Sequence, residues 1–211
     1  MTKPRLIIMT KAPIEGQVKT RLIPALGETA ATELQRRMIE HAVKNGLAAG
    51  FTDMELHCSP DTHHPFFQAL ANDYGIKLVG QQGDDLGQRM FHAISTALSQ
   101  HRPCLLIGTD CPMIDQDYLQ RAASSLDAAH DVVLGPAEDG GYVLIGVKYC
   151  TADLFREIDW STCRVLEQTL AKLEQTGLDY RLMDTLWDID RAEDYQRLRQ
   201  EPAMTHLYRN I

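Results

Sequence analysis

Two sets of charged residues, far apart in the chain, carry complementary chemistry. The first lies in "KAPIEGQVKTRL", Lys11 to Leu22, which puts Lys11, Lys19 and Arg21 into a turn region directly after the apolar run "RLIIM". A glycine-containing loop with Lys and Thr invites comparison with the P-loop pattern G-x-x-x-x-G-K-[ST]. That comparison fails, because Gly16 stands three residues before Lys19 and no glycine precedes it. Backbone amides cannot wrap a phosphate in the P-loop manner here. The remaining property of the loop is its cationic density, which suits a polyphosphate and equally suits a solvated basic turn.

The second set is acidic. Asp110 follows the apolar run "CLLIG", where a carboxylate on a rigid strand end can hold a divalent cation facing bound phosphates. Pro112 and a helix follow closely, so a cap or turn role is the alternative. Asp188 and Asp190 in "WDIDRAED" alternate, and in an extended segment both point to one face; Asp190 and Glu193 also approach a capping-box spacing. Asp139 in "EDGGY" is open to three roles: a further metal ligand, an acceptor for a substrate hydroxyl proton, or the turn that D-G-G favours. Mg²⁺ keeps several waters and is commonly held by one or two carboxylates plus substrate phosphates, so two aspartates suffice.

Other reactive residue types offer less. His63 and His64 are adjacent on a predicted loop, a poor arrangement for ligating one metal and an ordinary one for solvent exposure. Cys111 beside Asp110 is a poor nucleophile, since a neighbouring carboxylate raises a thiol pKa. G-x-S-x-G, H-E-x-x-H and G-x-G-x-x-G are all missing, which removes the serine-hydrolase, zincin and dinucleotide fingerprints.

The elements that must position these residues alternate along the chain. Arg5–Thr10 reads as a buried strand, Thr29–Leu47 as a helix, and strands at Met54–Cys58, Lys77–Val79, Cys104–Ile107 and Asp131–Leu134 are separated by helices at Leu86–Leu98 and Asp115–Leu126. Such alternation implies a mainly parallel sheet covered on both faces. After Pro136 a Gly-Gly turn leads straight into Tyr142–Val147, a hairpin-like step. A helix at Thr162–Leu173, a strand at Tyr180–Met183, a helix from Arg191 and a frayed tail after Pro202 complete the expected order. In an open parallel sheet, ligands bind outside the carboxyl ends of the strands. Five such ends carry polar or glycine-rich sequence here, the two charged sets among them.

Composition narrows the classes of partner. A chain of 211 residues fits one domain, and its formal net charge of -8 opposes non-specific attraction to nucleic acid or anionic membrane. Cys58, Cys104, Cys111, Cys150 and Cys163 are odd in number and contain no C-x-x-C pair, which fits a reducing cytoplasm better than a disulfide framework. The amino-terminal apolar run is too short for a signal core or a spanning helix, so a soluble cytoplasmic protein without membrane insertion is expected.

The segments "KAPIEGQVKTRL", "GDDLGQRM", "IGTDCPMI", "LGPAEDGGYVLIG" and "DIDRAED", in this order across residues 5 to 200, resemble the bacterial DUF2064 family of glycosyltransferase-like proteins, within the nucleotide-diphospho-sugar transferase (GT-A) superfamily. The layout is also similar to that of the 2-phospholactate guanylyltransferases, which share a K-T-R-L first loop and a D-I-D ending. The resemblance implies an α/β fold, a three-layer α/β/α sandwich with a mainly parallel, Rossmann-like mixed sheet. It implies Lys11, Lys19 and Arg21 along the nucleotide phosphates, Gln82, Leu86 and Gly87 bordering the base, and Asp110 with Asp190 as ligands of Mg²⁺ or Mn²⁺. Lys19, Arg21, Asp110 and Asp139 form the implied catalytic set, acting on a nucleotide or nucleotide-sugar and a small-molecule acceptor. One departure bears on the reaction: glycosyltransferases of this fold usually show D-x-D after the fourth strand, and here the chain reads Thr109-Asp110-Cys111. Glycosyl transfer, nucleotidylyl transfer and a non-catalytic nucleotide-binding module are the three functional expectations.

Overall fold

The computed structural model describes residues 3–100, 102–128, 130–149 and 152–211; Cys150 falls outside them. Seven strands build one sheet: β1 (Arg5–Lys11), β2 (Met54–Ser59), β3 (Lys77–Gly80), β4 (Cys104–Ile107), β5 (Val132–Pro136), β6 (Tyr142–Val147) and β7 (Tyr180–Leu182), in the spatial order β3-β2-β1-β4-β6-β5-β7. All pairings are parallel except those of β6, which runs antiparallel to both β4 and β5. The expected mixed, mainly parallel sheet is therefore present. Its order reverses between β1 and β4, and the crevice outside their carboxyl ends is where such a sheet binds ligands.

The helices are α1 (Ile23–Leu26), α2 (Glu28–Ala48), α3 (Pro65–Tyr74), α4 (Leu86–Ser99), α5 (Gln116–Ala128), α6 (Val165–Thr176), α7 (Ala192–Leu198) and α8 (Thr205–Tyr208). Side chains alternate across the strands and divide the core into two layers. Leu6, Ile8, Leu56 and Cys58 pack with Ile39, Val43, Phe67 and Leu119 on one face. Ile7, Met9, Leu106 and Ile145 pack with Met90, Ile94 and Leu173 on the other. Because both faces are covered, the central strands read as unbroken apolar runs instead of alternating ones.

A third cluster matters most for the site. Leu22, Leu34 and Met38 join Trp187, Ile189, Tyr195, Leu198 and Leu207 in an apolar patch that draws the chain's last segments against α2. The tail expected to fray after Pro202 is instead a 3-10 turn, Pro202–Met204, followed by α8. Leu207 is buried, and Arg37 of α2 donates to the carbonyl oxygens of His206 and Arg209. The tail's few apolar residues concealed this docking, because one leucine carries the burial. α1, a single turn, was not expected; α3, a helical segment between the second and third strands, follows the His63-His64 pair, whose second member accepts the Phe66 N–H on Nδ1 at 3.2 Å.

A buried charge network spans the amino-terminal half of β1 and β2. Glu55 lies 3.1 Å from Arg5 Nη1, 3.0 Å from His57 Nε2 and 2.8 Å from Lys77 Nζ. Burial alone would raise the Glu55 pKa, but hydrogen bonds from His57 and Lys77 and the charge of Arg5 pull it down to about 2. A carboxyl with a depressed folded-state pKa contributes stability that is present above its unfolded pKa and is lost as pH falls through the folded value. Glu55→Gln should therefore destabilise the protein by on the order of 2 kcal/mol at pH 7, with the deficit shrinking between pH 4.5 and 2. Urea unfolding of both proteins at several pH values measures this, and a pH-independent difference would rule out the charged network as its cause.

Candidate active site

The loop after β1 turns its cations toward two distant carboxylates. Lys19 Nζ donates to Asp110 Oδ1 at 2.6 Å and to the Ile189 carbonyl oxygen at 2.6 Å. Two residues on, the Arg21 guanidinium donates to Asp190. Lys19, Arg21, Asp110 and Asp190, spread over the whole sequence, thus meet at the carboxyl ends of β1 and β4. Lys11 is not shown in this cluster: its ammonium donates to the Gln17 carbonyl at 2.9 Å and clips the loop onto itself.

Neither metal-ligand candidate is consumed by capping. The helix after Asp110 is capped by Asp115, whose Oδ1 accepts the Tyr118 N–H at 2.7 Å. At α7 Asp194 accepts the N–H groups of Asp190 and Arg191 at 3.0 and 2.7 Å, leaving the Asp190 side chain to Arg21. The capping-box expectation at Asp190–Glu193 is corrected accordingly: the motif is displaced by one residue.

Several bonds hold the 186–190 segment in place. The Ile189 N–H donates to the Asp110 carbonyl at 2.8 Å, and the Glu138 N–H donates to the Leu186 carbonyl at 2.9 Å. Arg197 forms a two-pronged pair with Glu138 at 2.7 and 3.0 Å while its guanidinium carbon lies 4.3 Å from the Trp187 ring centroid. Asp188 is consequently carried toward Asp110 and Asp139.

The family model described as an uncharacterized protein conserved in bacteria (DUF2064) matches residues 42–162. The chain belongs to the DUF2064 family. No sequence among curated proteins matches it. By structure, this DUF2064 protein is similar to a candidate nucleotide-diphospho-sugar transferase from Desulfovibrio desulfuricans G20, at 27% identity over 99% of each chain and a TM-score of 0.81. It is also similar to a nucleotidyl transferase from Methanothermobacter thermautotroptrophicus (17% identity, 100% of each chain, TM-score 0.62) and to an inositol-1-phosphate CTP transferase from T. maritima (14% identity, 100% of this chain and 98% of that one, TM-score 0.58). At their low identity the latter two establish a shared fold.

Carboxylates of this cluster repel one another. The Asp188 pKa is pushed up to about 6, first by burial, then by the Asp139 charge with a further contribution from Asp110, against the opposing charge of Lys19. Asp139 also shapes its own turn, accepting the Gly141 N–H on Oδ1 at 2.8 Å. Among the described residues no three His, Cys, Asp or Glu side chains are arranged to chelate a cation by themselves. Repulsion of Asp188 by Asp139 and Asp110 is what a divalent cation would relieve, and Asp110 and Asp190 would hold Mg²⁺ or Mn²⁺ only with phosphate oxygens completing the ligand set. Asp188 was legible as half of an alternating pair; its burial was not.

The base-side expectations divide. Gln81 Nε2 donates to the carbonyl oxygens of Thr10 and His57 at 2.9 and 2.8 Å, fixing the post-β3 loop over the ends of β1 and β2. Thr10 in turn lies 3.3 Å, hydroxyl to hydroxyl, from Thr109, the residue before Asp110. On this loop Gln82 and Leu86 are exposed. Gly87 is buried beneath Trp160: a Cβ there would stand 2.4 Å from the indole Nε1. The indole also stacks on Phe155, with ring centroids 6.3 Å apart, and meets Tyr142 edge-on at 6.4 Å. Farther along the Trp160 segment, Cys163 abuts Gly140 of the D-G-G turn, which adopts φ 88°; the Cys163 carbonyl oxygen would lie 2.2 Å from a Cβ added there. Residues 160–163 therefore form a strap between the start of α4 and the D-G-G turn.

Cys111 is buried and poorly placed to act as a nucleophile. Burial first, then the charges of Asp188 and Asp110, push its pKa up to about 12 despite hydrogen bonds from the backbone of Met113 and Ile114. Iodoacetamide at pH 8 should alkylate exposed Cys163 within minutes and leave buried Cys58, Cys104 and Cys111 at least about tenfold slower. Peptide mapping by mass spectrometry reads this directly, and rapid labelling of Cys111 would contradict the burial described.

Proposed function

We propose that this protein is a metal-dependent transferase whose donor is a nucleotide-diphospho-sugar and whose acceptor is a small molecule bearing a hydroxyl group. The observation that carries the reading is the convergence of Lys19 and Arg21 with Asp110 and Asp190 at the reversal point of the sheet. Likeness to the candidate nucleotide-diphospho-sugar transferase of Desulfovibrio desulfuricans over nearly the whole chain supports it.

In this reading Arg21 and Lys11 lie along the diphosphate, while Gln82 and Leu86 border the base. Asp110 and Asp190 hold Mg²⁺ or Mn²⁺, which supplies charge neutralisation for the departing nucleoside diphosphate. Asp139 accepts the acceptor's hydroxyl proton as its oxygen bonds to the anomeric carbon. No protein nucleophile is required; catalysis rests on placement and charge. The strap bearing Trp160 walls the acceptor side. The formal net charge of -8 opposes non-specific attraction to polyanions, and no helix among the described residues is long and apolar enough to cross a membrane.

A second reading is favoured by the end of β4. Thr109 is buried with its hydroxyl toward Thr10, and Cys111 is buried as a neutral thiol, so Asp110 is the single carboxylate there. A lone aspartate suits nucleotidylyl transfer, in which a substrate phosphate attacks the α-phosphorus of a nucleoside triphosphate and pyrophosphate leaves.

Calorimetric titration with nucleoside triphosphates and with UDP- and GDP-sugars, with and without Mg²⁺, tests both readings. Wild-type protein should bind its donor only with metal, and Asp110→Ala should weaken that binding at least about tenfold while its circular dichroism stays unchanged. Unchanged affinity in the variant would remove Asp110 from the site. Release of nucleoside diphosphate identifies glycosyl transfer and release of pyrophosphate identifies nucleotidylyl transfer; binding with neither product leaves a nucleotide-binding module.

A further inference from the structure

The two cations of the first loop are not alike. Arg21 presents 65% of its side chain to solvent, and its partner Asp190 presents 46%, so this pair can open toward an incoming anion. Lys19 presents only 5%. Its ammonium is held by two acceptors at 2.6 Å, one a side chain and one a backbone carbonyl, and its backbone adopts φ 47°, a left-handed geometry uncommon outside glycine. Two of its three N–H groups are taken by these acceptors, and its small exposure gives the third little access to a phosphate in solvent unless the ammonium swings out and leaves the Ile189 carbonyl without this donor. A buried, satisfied ammonium resists such a move. Asp110, by contrast, keeps 61% of its side chain exposed, so its outer face is available to a ligand while Lys19 holds the inner one.

The same ammonium offsets the field of the carboxylates, acting on Asp188 as well as on Asp110. A divalent ion arriving alone would meet a resident positive charge and, among the described residues, fewer than three protein carboxylates arranged to chelate it. A polyphosphate brings both the missing oxygens and the missing negative charge.

Resting on the transferase reading, we infer that Lys19 is a positioning residue, a built-in counter-ion of the carboxylate group that keeps affinity for a free divalent cation low, so that cation and polyphosphate enter together. Arg21 is then the loop's mobile phosphate contact.

The test uses Mn²⁺ alone, with no nucleotide present, and follows the electron paramagnetic resonance signal of the free ion during titration of the full chain. Lys19→Met, close in shape and uncharged, should bind Mn²⁺ at least about tenfold more tightly than wild type, and charge-retaining Lys19→Arg should stay near wild type. Tenfold corresponds to about 1.4 kcal/mol, and Coulomb's law gives a single and a double charge about 5 Å apart at least that much repulsion even in water. Mn²⁺ binding to Lys19→Met that is equal or weaker overturns the inference, because a merely structural lysine would loosen the site on removal. Undetectable binding to both wild type and Lys19→Met overturns it as well. Lys19→Gln replaces the methionine variant if that fails to fold, and unfolding of both would show a fold-determining lysine instead of a counter-ion. With no nucleotide in the experiment, its outcome stands apart from the donor titration, so failure of either idea is recognisable by itself.

Discussion

One ammonium group joins three parts of the chain that nothing local would bring together. Lys19 bonds to Asp110, 91 positions away, and to the carbonyl of Ile189, 170 positions away. The first contact ties the loop after β1 to the end of β4, and the second ties both to the segment that carries Asp188 and Asp190. Closing such separations in an unfolded chain is entropically costly, so the pair cannot assemble the site by itself. It depends on the apolar cluster beneath it, where Leu22 and Leu34 pack with Trp187 and Ile189. Hydrophobic burial brings the segments together, and the ammonium fixes their register.

The site is therefore a place where stability and function pull apart. Burial first, then the charges of Asp139 and Asp110, push the Asp188 pKa up to about 6. A fold optimised for stability alone would separate such carboxylates. Here the clasp of Arg197 on Glu138, the Leu186 to Glu138 backbone bond and the Ile189 to Asp110 backbone bond hold them in place. Repulsion held in a rigid frame is an arrangement suited to a cationic ligand, which is why the geometry says more than the mere count of acidic residues does.

Much of this was legible in the sequence, because the relevant signals were local. Apolar runs with turn residues at their ends located every strand to within two residues, and the run from Tyr142 to Val147 matches β6 at both ends. Strand-end reasoning also picked out Lys19, Arg21, Asp110 and Asp190, since a parallel sheet gathers its carboxyl ends whatever its helices contain. What could not be read was set by tertiary contact. Nothing in "VKTRL" distinguishes a buried lysine from an exposed arginine two residues later; that difference comes from the carbonyl of Ile189. The docking of Leu207 on α2 is equally silent in a tail of mixed composition. The displaced cap at Asp194 escaped because Asp190 and Asp194 both offer suitable chemistry, and only the pairing of Asp190 with Arg21 decides between them.

The glycines show why motif and role should be kept separate. Gly87 and Gly140 both belong to segments that resemble ligand-binding loops, yet the missing side chain at each position makes room for protein: the Trp160 indole over one and the Cys163 carbonyl over the other. Their constraint is one of packing, and the packing lashes the start of α4 to the turn that carries Asp139. A motif can thus be kept intact by a requirement one step removed from the ligand. By the same logic, the strap between those two glycines is fixed at both ends by close packing against backbone or ring atoms, so its position is set by the protein's own core and not by the polar groups that flank it.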